Sequence, residues 1–136
     1  MQKYSIDKIT NKLVRAFLNN KLISPIPLKY TKKLTEAQKI RKLCESKIKE
    51  PVIGFKAAGT NISVMKKLKE KEPFYASIFK RNFLKSGQKV KINKSTLGIE
   101  LEVCYLIKKN FFSSRSQITI ENLSKYISHI APCIEV

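Results

Sequence analysis

The stretch L-G-I-E-L-E-V-C-Y-L-I, from Leu97 to Ile107, decides the fold. It is rich in β-branched and aromatic residues and is bounded by polar stretches, so it predicts a β-strand. Because side chains alternate between the two faces of a strand, Glu100 and Glu102 are predicted to lie side by side on one face. Two carboxylates in a half-buried strand repel each other, and a hard divalent metal that prefers oxygen ligands would stabilise them.

A third carboxylate has the same setting. Glu135 lies in the apolar segment I-A-P-C-I-E-V, from Ile130 to Val136. We expect its end to form another strand, with Glu100, Glu102 and Glu135 on inward faces and close enough to share one ion.

The first half of the chain predicts helices followed by strands. Ser5 is the expected N-cap of a helix that ends at Asn19, and Thr35 is the expected N-cap of a second helix that ends near Ile48. Strands are predicted for V-I-G-F-K-A and for Phe74–Phe79, with a short helix at residues 61–70 between them.

The second half adds a strand at Q-K-V-K-I, residues 88–92, and an exposed turn at residues 111–116. A last helix is expected to begin at Thr119 or Glu121, to run through Ile130 and to end at Pro132. Strands mixed with short helices predict an α+β fold.

Four segments, in this order, carry a resemblance to a known family. They are G-F-K-A-A-G-T (54–60), E-P-F-Y-A-S-I-F (72–79), I-E-L-E (99–102) and A-P-C-I-E-V (131–136). Together they resemble the 2-keto-4-pentenoate hydratase family of the fumarylacetoacetate hydrolase-like superfamily. The resemblance implies N-terminal helices in residues 1–50, followed in residues 51–136 by the first part of a mixed β-sheet or roll.

The same resemblance implies a set of site residues. Lys56 would be catalytic, Thr60 would bind substrate, and Glu100, Glu102 and Glu135 would hold Mg²⁺ or Mn²⁺. The implied reaction is the addition of water to a 2-hydroxydienoate or its 2-oxoenoate tautomer by a metal-dependent hydro-lyase. The complete family enzyme would be a homo-oligomer.

Alternatives remain open within and beyond this family. The related 2-oxo acid decarboxylases share the metal site. The chain resembles the N-terminal half of the family's catalytic domain, so we expect a truncated or split enzyme, with a partner chain supplying the other half. Departures from the family pattern at Ala58, Phe74 and Gly98 leave an inactive remnant or partner-binding fragment as another interpretation.

The formal net charge of +18 suggests nucleic-acid binding as a further alternative. Residues 1–99 hold 24 basic and 6 acidic residues, which gives 24 − 6 = +18, whereas residues 100–136 hold 4 of each and are neutral. The basic residues are scattered and are nearly all lysine, whereas bidentate recognition of bases and phosphates favours arginine. This pattern favours solvated surface charge over a lysine-rich nucleic-acid binder.

The three cysteines, Cys44, Cys104 and Cys133, follow neither a disulfide framework nor a zinc spacing. We expect each to be a small buried side chain in a reducing compartment. His129 is predicted to be a surface or boundary residue rather than a base. The N-terminus has no apolar signal region and no segment is long enough to span a bilayer, so a cytoplasmic protein is expected.

Overall fold

The computed structural model describes residues 5–92, 96–111 and 117–136. The helices are α1 (Ile6–Leu18), α2 (Leu34–Lys47), α3 (Ile62–Leu68) and the single turn α4 (Ile120–Leu123). The strands are β1 (Val52–Ala58), β2 (Phe74–Phe79), β3 (Glu100–Ile107) and β4 (Ile127–Glu135). Short 3-10 turns lie at Leu28–Tyr30, Lys80–Asn82, Lys109–Phe111 and Ser124–Tyr126. The predicted α+β class is confirmed, and the specific hydrolase-like fold remains a prediction.

The strands form two separate two-stranded antiparallel sheets, β1–β2 and β3–β4, which we call the first and second hairpins although helical turns lie in their connections. The chain divides into the compact units Met1–Val90 and Lys91–Val136. The division into residues 1–50 and 51–136 that the family resemblance implies stays a prediction. By packing, the first hairpin groups with the two long helices.

Helix α1 begins and ends as its capping residues predict. The Ser5 Oγ accepts a hydrogen bond from the Lys8 N–H at 3.3 Å, which satisfies one of the free donors of the first turn. At the other end the Asn19 side chain donates to the Arg15 carbonyl at 2.7 Å. The apolar stripe of α1 buries Ile9 and Val14.

Helix α2 starts earlier than predicted. Its N-cap is Lys33 rather than Thr35, which lies exposed in the first turn. Ile40 of α2 is buried, whereas Leu43 is exposed. Helix α2 packs on α1, and the Cys44 thiol reaches the Thr10 carbonyl at 3.9 Å.

The first hairpin lies against these helices. Phe79 at the end of β2 is only 5% exposed, and its ring centroid lies 5.6 Å from that of Phe17 on α1. Two residues earlier in β2, the backbone N–H of Ser77 donates a hydrogen bond to the Glu45 Oε1 on α2 at 2.9 Å. Desolvation works against ionisation of Glu45, but hydrogen bonds from Ser77 and from Arg41 lower its pKa. The helix and the strand are therefore joined by a partly buried charge.

The predicted last helix is wrong over most of its length, where the structure has strand β4. Only residues Ile120–Leu123 are α-helical, and Ile127 and Ile130, expected on a helix, belong to strand β4. Pro132, expected to end a helix, lies within that strand opposite Val103. The spacing of the isoleucines fits a helix, but pairing with the β-branched and aromatic residues of β3 stabilises a strand instead. Proline is tolerated there because each strand of a two-stranded sheet is an edge strand.

Two further predictions fail or lie outside the described residues. Residues 88–92, predicted as a strand, have no regular structure. Of the predicted turn at 111–116, Phe111 ends a 3-10 turn, and residues 112–116 lie outside the described residues.

Candidate metal centre

Three glutamates meet at the open end of the β3–β4 hairpin. The register pairs Glu100 with Glu135 directly across the two strands, and Glu102 lies two residues further along β3 on the same face. One carboxylate oxygen from each lies within 4.8 Å of those of the other two. The strand pairing thus gathers the three residues that the sequence singled out, although Glu135 lies 33 residues after Glu102 and 35 after Glu100.

The cluster is more exposed than predicted. Glu100 and Glu102 are exposed and Glu135 is half-buried, so the expectation of inward-facing carboxylates is wrong. Strand β3 itself is exposed at every position except Cys104, rather than half-buried. A two-stranded hairpin covers neither of its own faces, and alternation alone fixes which residues share a face without fixing whether that face is covered.

The donor set suits a hard divalent cation. It supplies three anionic oxygens from one side, which leaves positions for water or for oxygens of a small acid. Among the described residues, Glu100 and Glu102 form no ion pair with a lysine or arginine, so their mutual repulsion is not offset in that way. Exposed acidic groups are also common without an ion, so this geometry is compatible with a metal and does not require one.

Two cysteines lie beside the glutamates, and the sequence reasoning missed this. Cys133 is the cross-strand partner of Glu102, and Cys104 lies diagonally across from it on the same face. Desolvation, followed by the proximity of Cys104 and of the Glu102 carboxylate, raises the pKa of the Cys133 thiol. The prediction of three buried cysteines is wrong, because Cys133 is exposed and the other two are half-buried. The signal was available, since E-x-C in β3 and C-x-E in β4 place thiol and carboxylate on one face.

His129 follows on the same face of β4, opposite Leu106. It is exposed, as predicted, although on a strand instead of a helix. Its Nδ1 lies 2.5 Å from the Ser128 hydroxyl.

Lys56 and Thr60 belong to the other compact unit. Lys56 lies half-buried inside strand β1, within the strand predicted at V-I-G-F-K-A, and is paired with Ala76. Thr60 is exposed after the strand. Between them Gly59 adopts φ +68°, and a Cβ there would lie 2.9 Å from the Phe74 ring. This glycine is therefore required by the backbone and by a close aromatic neighbour.

The chain was also compared with known proteins. Family models, curated proteins and solved structures give no match to it. Within the described residues, no helix combines the length and the apolar character needed to cross a membrane.

Proposed function

We propose that this chain is a metal-dependent hydratase of the 2-keto-4-pentenoate hydratase type, which adds water to a 2-hydroxydienoate or its 2-oxoenoate tautomer. The observation that carries the proposal is the convergence of Glu100, Glu102 and Glu135 within 4.8 Å. These residues were selected from the sequence alone, by strand alternation and by motif order, and they come from two strands that the fold brings together.

The three carboxylates would hold Mg²⁺ or Mn²⁺, both of which favour oxygen ligands. When bound, such an ion polarises the carbonyl of a chelating 2-oxo acid and so makes its conjugated chain open to attack by water. The exposure of Glu100 and Glu102 leaves solvent and a small acid free to approach this side of the hairpin.

The family resemblance gives Lys56 the role of proton transfer and Thr60 that of substrate binding. A lysine amine can accept and donate a proton, and Lys56 is half-buried in β1. Replacement of Lys56 by Met is expected to abolish turnover and leave metal affinity unchanged, whereas Lys80→Met, at an exposed position after β2, is expected to alter neither.

The metal assignment is tested by titrating the full chain with Mn²⁺ and following the free ion by electron paramagnetic resonance. Glu100→Gln, Glu102→Gln and Glu135→Gln should each weaken binding by roughly tenfold or more, since each removes one charged ligand. Glu121→Gln, a carboxylate of the same unit outside the cluster, is the matched control and should bind normally. Equal Mn²⁺ affinity in all four variants would refute the proposed metal site.

The reaction is tested separately, by following the absorbance of 2-hydroxypentadienoate with Mg²⁺ or Mn²⁺ present. Loss of the dienol band with formation of the hydrated 2-oxo acid supports the hydratase. Release of carbon dioxide from a 2-oxo acid substrate instead would identify the related decarboxylase. Metal binding without either reaction would refute the enzymatic proposal and leave the cation site standing.

One observation favours a second candidate function, the binding of nucleic-acid phosphates. An open groove of about 540 Å³ runs along α1 and the segment after it. Four basic side chains line it: Lys8, Lys12, Arg15 and Lys21. Lysines gathered along one helix face are the arrangement that would distinguish a binding surface from scattered charge.

Duplex DNA binding measured over a range of salt concentrations tests this candidate. Replacing Lys8 and Lys12 by Ala should reduce the salt slope of the affinity by about two if both contact phosphates. Lys66→Ala with Lys67→Ala, on the short helix α3 away from the groove, is the control pair. An unchanged slope in the groove variant would exclude the groove as a phosphate site.

A further inference from the structure

The second hairpin carries an apolar surface on the side opposite its glutamates, which we call the apolar face. Three successive cross-strand pairs form it: Leu101 with Ile134, Val103 with Pro132, and Tyr105 with Ile130. All six residues are exposed, and the exposed fraction is 53% at Tyr105 and 86% at Leu101. Because side chains alternate along a strand, the carboxylates lie on the other side and no charged side chain interrupts this patch.

The area of the apolar face fits an interface between proteins. At these exposures its six residues offer roughly 600 Å², the upper end of the range for the largest apolar patch on a monomer. A specific interface of standard size takes about 800 Å² from each partner, and weaker contacts take less. An isolated two-stranded hairpin is also marginal in water, so a cover would supply apolar burial that the second hairpin lacks. The size of the patch therefore points to a reversible contact.

The charge of the two compact units favours a second copy of the chain as the cover. Residues 1–90 hold 22 basic and 6 acidic residues, 22 − 6 = +16, whereas residues 91–136 hold 6 and 4, 6 − 4 = +2. Like charge opposes contact of two copies through the first unit and hardly opposes contact through the second. The apolar face has no charged group that would select a foreign partner, and a second copy presents the same apolar surface.

We propose that the apolar faces of two chains pack against each other in a reversible two-fold dimer. Two sheets that pack face to face lie about 10 Å apart, and the side chains of their inner faces interdigitate. The middle pair, Val103 and Pro132, lies at the centre of this interface. Since each copy uses its single apolar face, the contact closes at two chains. The glutamates stay on the outer sides, so the inference stands without the proposed metal or hydratase activity.

Sedimentation equilibrium of the full chain over a range of protein concentrations tests the proposal. The interface is small, so the dimer should dissociate at about micromolar concentrations, and in more dilute solution the apolar face is in water. Val103→Lys should weaken the dimer about tenfold or more, because contact strips water from the added charge. Leu106→Lys, at a 45% exposed position on the glutamate side, adds the same charge and should leave the dimer unchanged.

Ile134→Lys is a second variant of the apolar face, and circular dichroism in dilute solution checks that each variant folds. Raising the salt concentration to physiological levels should strengthen the dimer of the parent chain, because salt screens the repulsion between the two basic units. Weakening by salt would show a contact made by ion pairs and would overturn the inference.

Further outcomes would also overturn it. A monomer at every concentration, or equal weakening by Val103→Lys and Leu106→Lys, would show that the apolar face makes no contact between copies. Assembly beyond two chains would show pairing of strand edges instead of faces. A dilute monomer that Val103→Lys destabilises far more than Leu106→Lys does would show that the chain itself covers the apolar face.

Discussion

The two hairpins are built alike and differ in what covers them. In β1–β2, Phe79 packs on the α1 helix and is only 5% exposed, and the Glu45 carboxylate of α2 accepts a hydrogen bond from the backbone N–H of Ser77. In β3–β4, the face opposite the glutamates carries apolar residues that stay in solvent, with Leu101 at 86% exposure and Ile134 at 66%. The same local pairing thus gives a packed core in one unit and an accessible surface, with chemically reactive groups, in the other.

The two units therefore differ in the source of their stability. An isolated two-stranded hairpin is marginal in water, because it buries little apolar surface against the entropy of ordering its backbone. The first hairpin adds helix packing to its strand pairing. The second relies on its cross-strand pairs, which include Tyr105 with Ile130 and Leu101 with Ile134.

The largest effect should come from removing the aromatic side chain that joins the first hairpin to α1. Phe79→Ala deletes a buried ring in contact with Phe17 and should lower the free energy of unfolding by about 3–5 kcal/mol. Chemical denaturation followed by circular dichroism measures this loss. Tyr105→Ala in the second hairpin, where the side chain is exposed, is the matched control and should cost less than half as much. Equal losses would mean that the two hairpins are packed alike.

A second test breaks the polar link between α2 and β2. Glu45→Gln weakens charge-assisted hydrogen bonds to Ser77 and Arg41 and should cost about 2 kcal/mol near neutral pH. Because the pKa of Glu45 is lowered in the folded chain, the unfolded chain binds the proton more tightly. Its stabilising contribution is therefore present above the ordinary glutamate pKa and is lost as the pH falls through the lowered folded value.

Denaturation curves between neutral pH and about pH 3 measure this dependence. Glu45→Gln should flatten the acid side of the stability profile, whereas Glu72→Gln, at an exposed position before β2, should leave it unchanged. A parent profile and a Glu45→Gln profile that fall in parallel would contradict the assigned role.

Sequence reasoning predicted β1, β2 and β3 well because alternation, flanking polar residues and proline stops act locally. It also predicted which glutamates converge, since motif order selected them and period two placed them on matching faces. It failed at Ile127 and Ile130, where the spacing also fits a helix but pairing with β3, whose partner residues lie 20 and 25 residues earlier in the chain, gives a strand. It failed on burial at Glu100 and Cys133 because exposure depends on what covers a face, which no local pattern records.

A third test addresses the backbone before α3. Gly59→Ala forces a Cβ into a left-handed residue beside the Phe74 ring and should cost about 1–2 kcal/mol. Gly54→Ala is the matched control in the same hairpin, because its Cβ would meet no atom within 4 Å and its φ is not positive. Thermal unfolding of the two variants compares them directly. The β1–β2 register shifts between Val52 and Gly54. A Gly54 variant less stable than the Gly59 variant would place the strain at this irregularity instead.

The smallest expected effect on stability is that of an exposed apolar residue in the second hairpin, compared with a half-buried one in the first. Leu101→Thr removes apolar surface that is already in water and introduces a β-branched residue, which suits a strand, so the free energy of unfolding should change by less than about 0.5 kcal/mol. Ile78→Thr makes a comparable change at a half-buried position of β2 and should cost about 1–2 kcal/mol, since it places a hydroxyl against packed side chains. Parallel urea titrations measure both. A loss of stability for Leu101→Thr as large as that for Ile78→Thr would show that the apolar face of the second hairpin is covered in solution. If the urea midpoint of the parent chain also depended on protein concentration, the covering molecule would be a second copy of the chain.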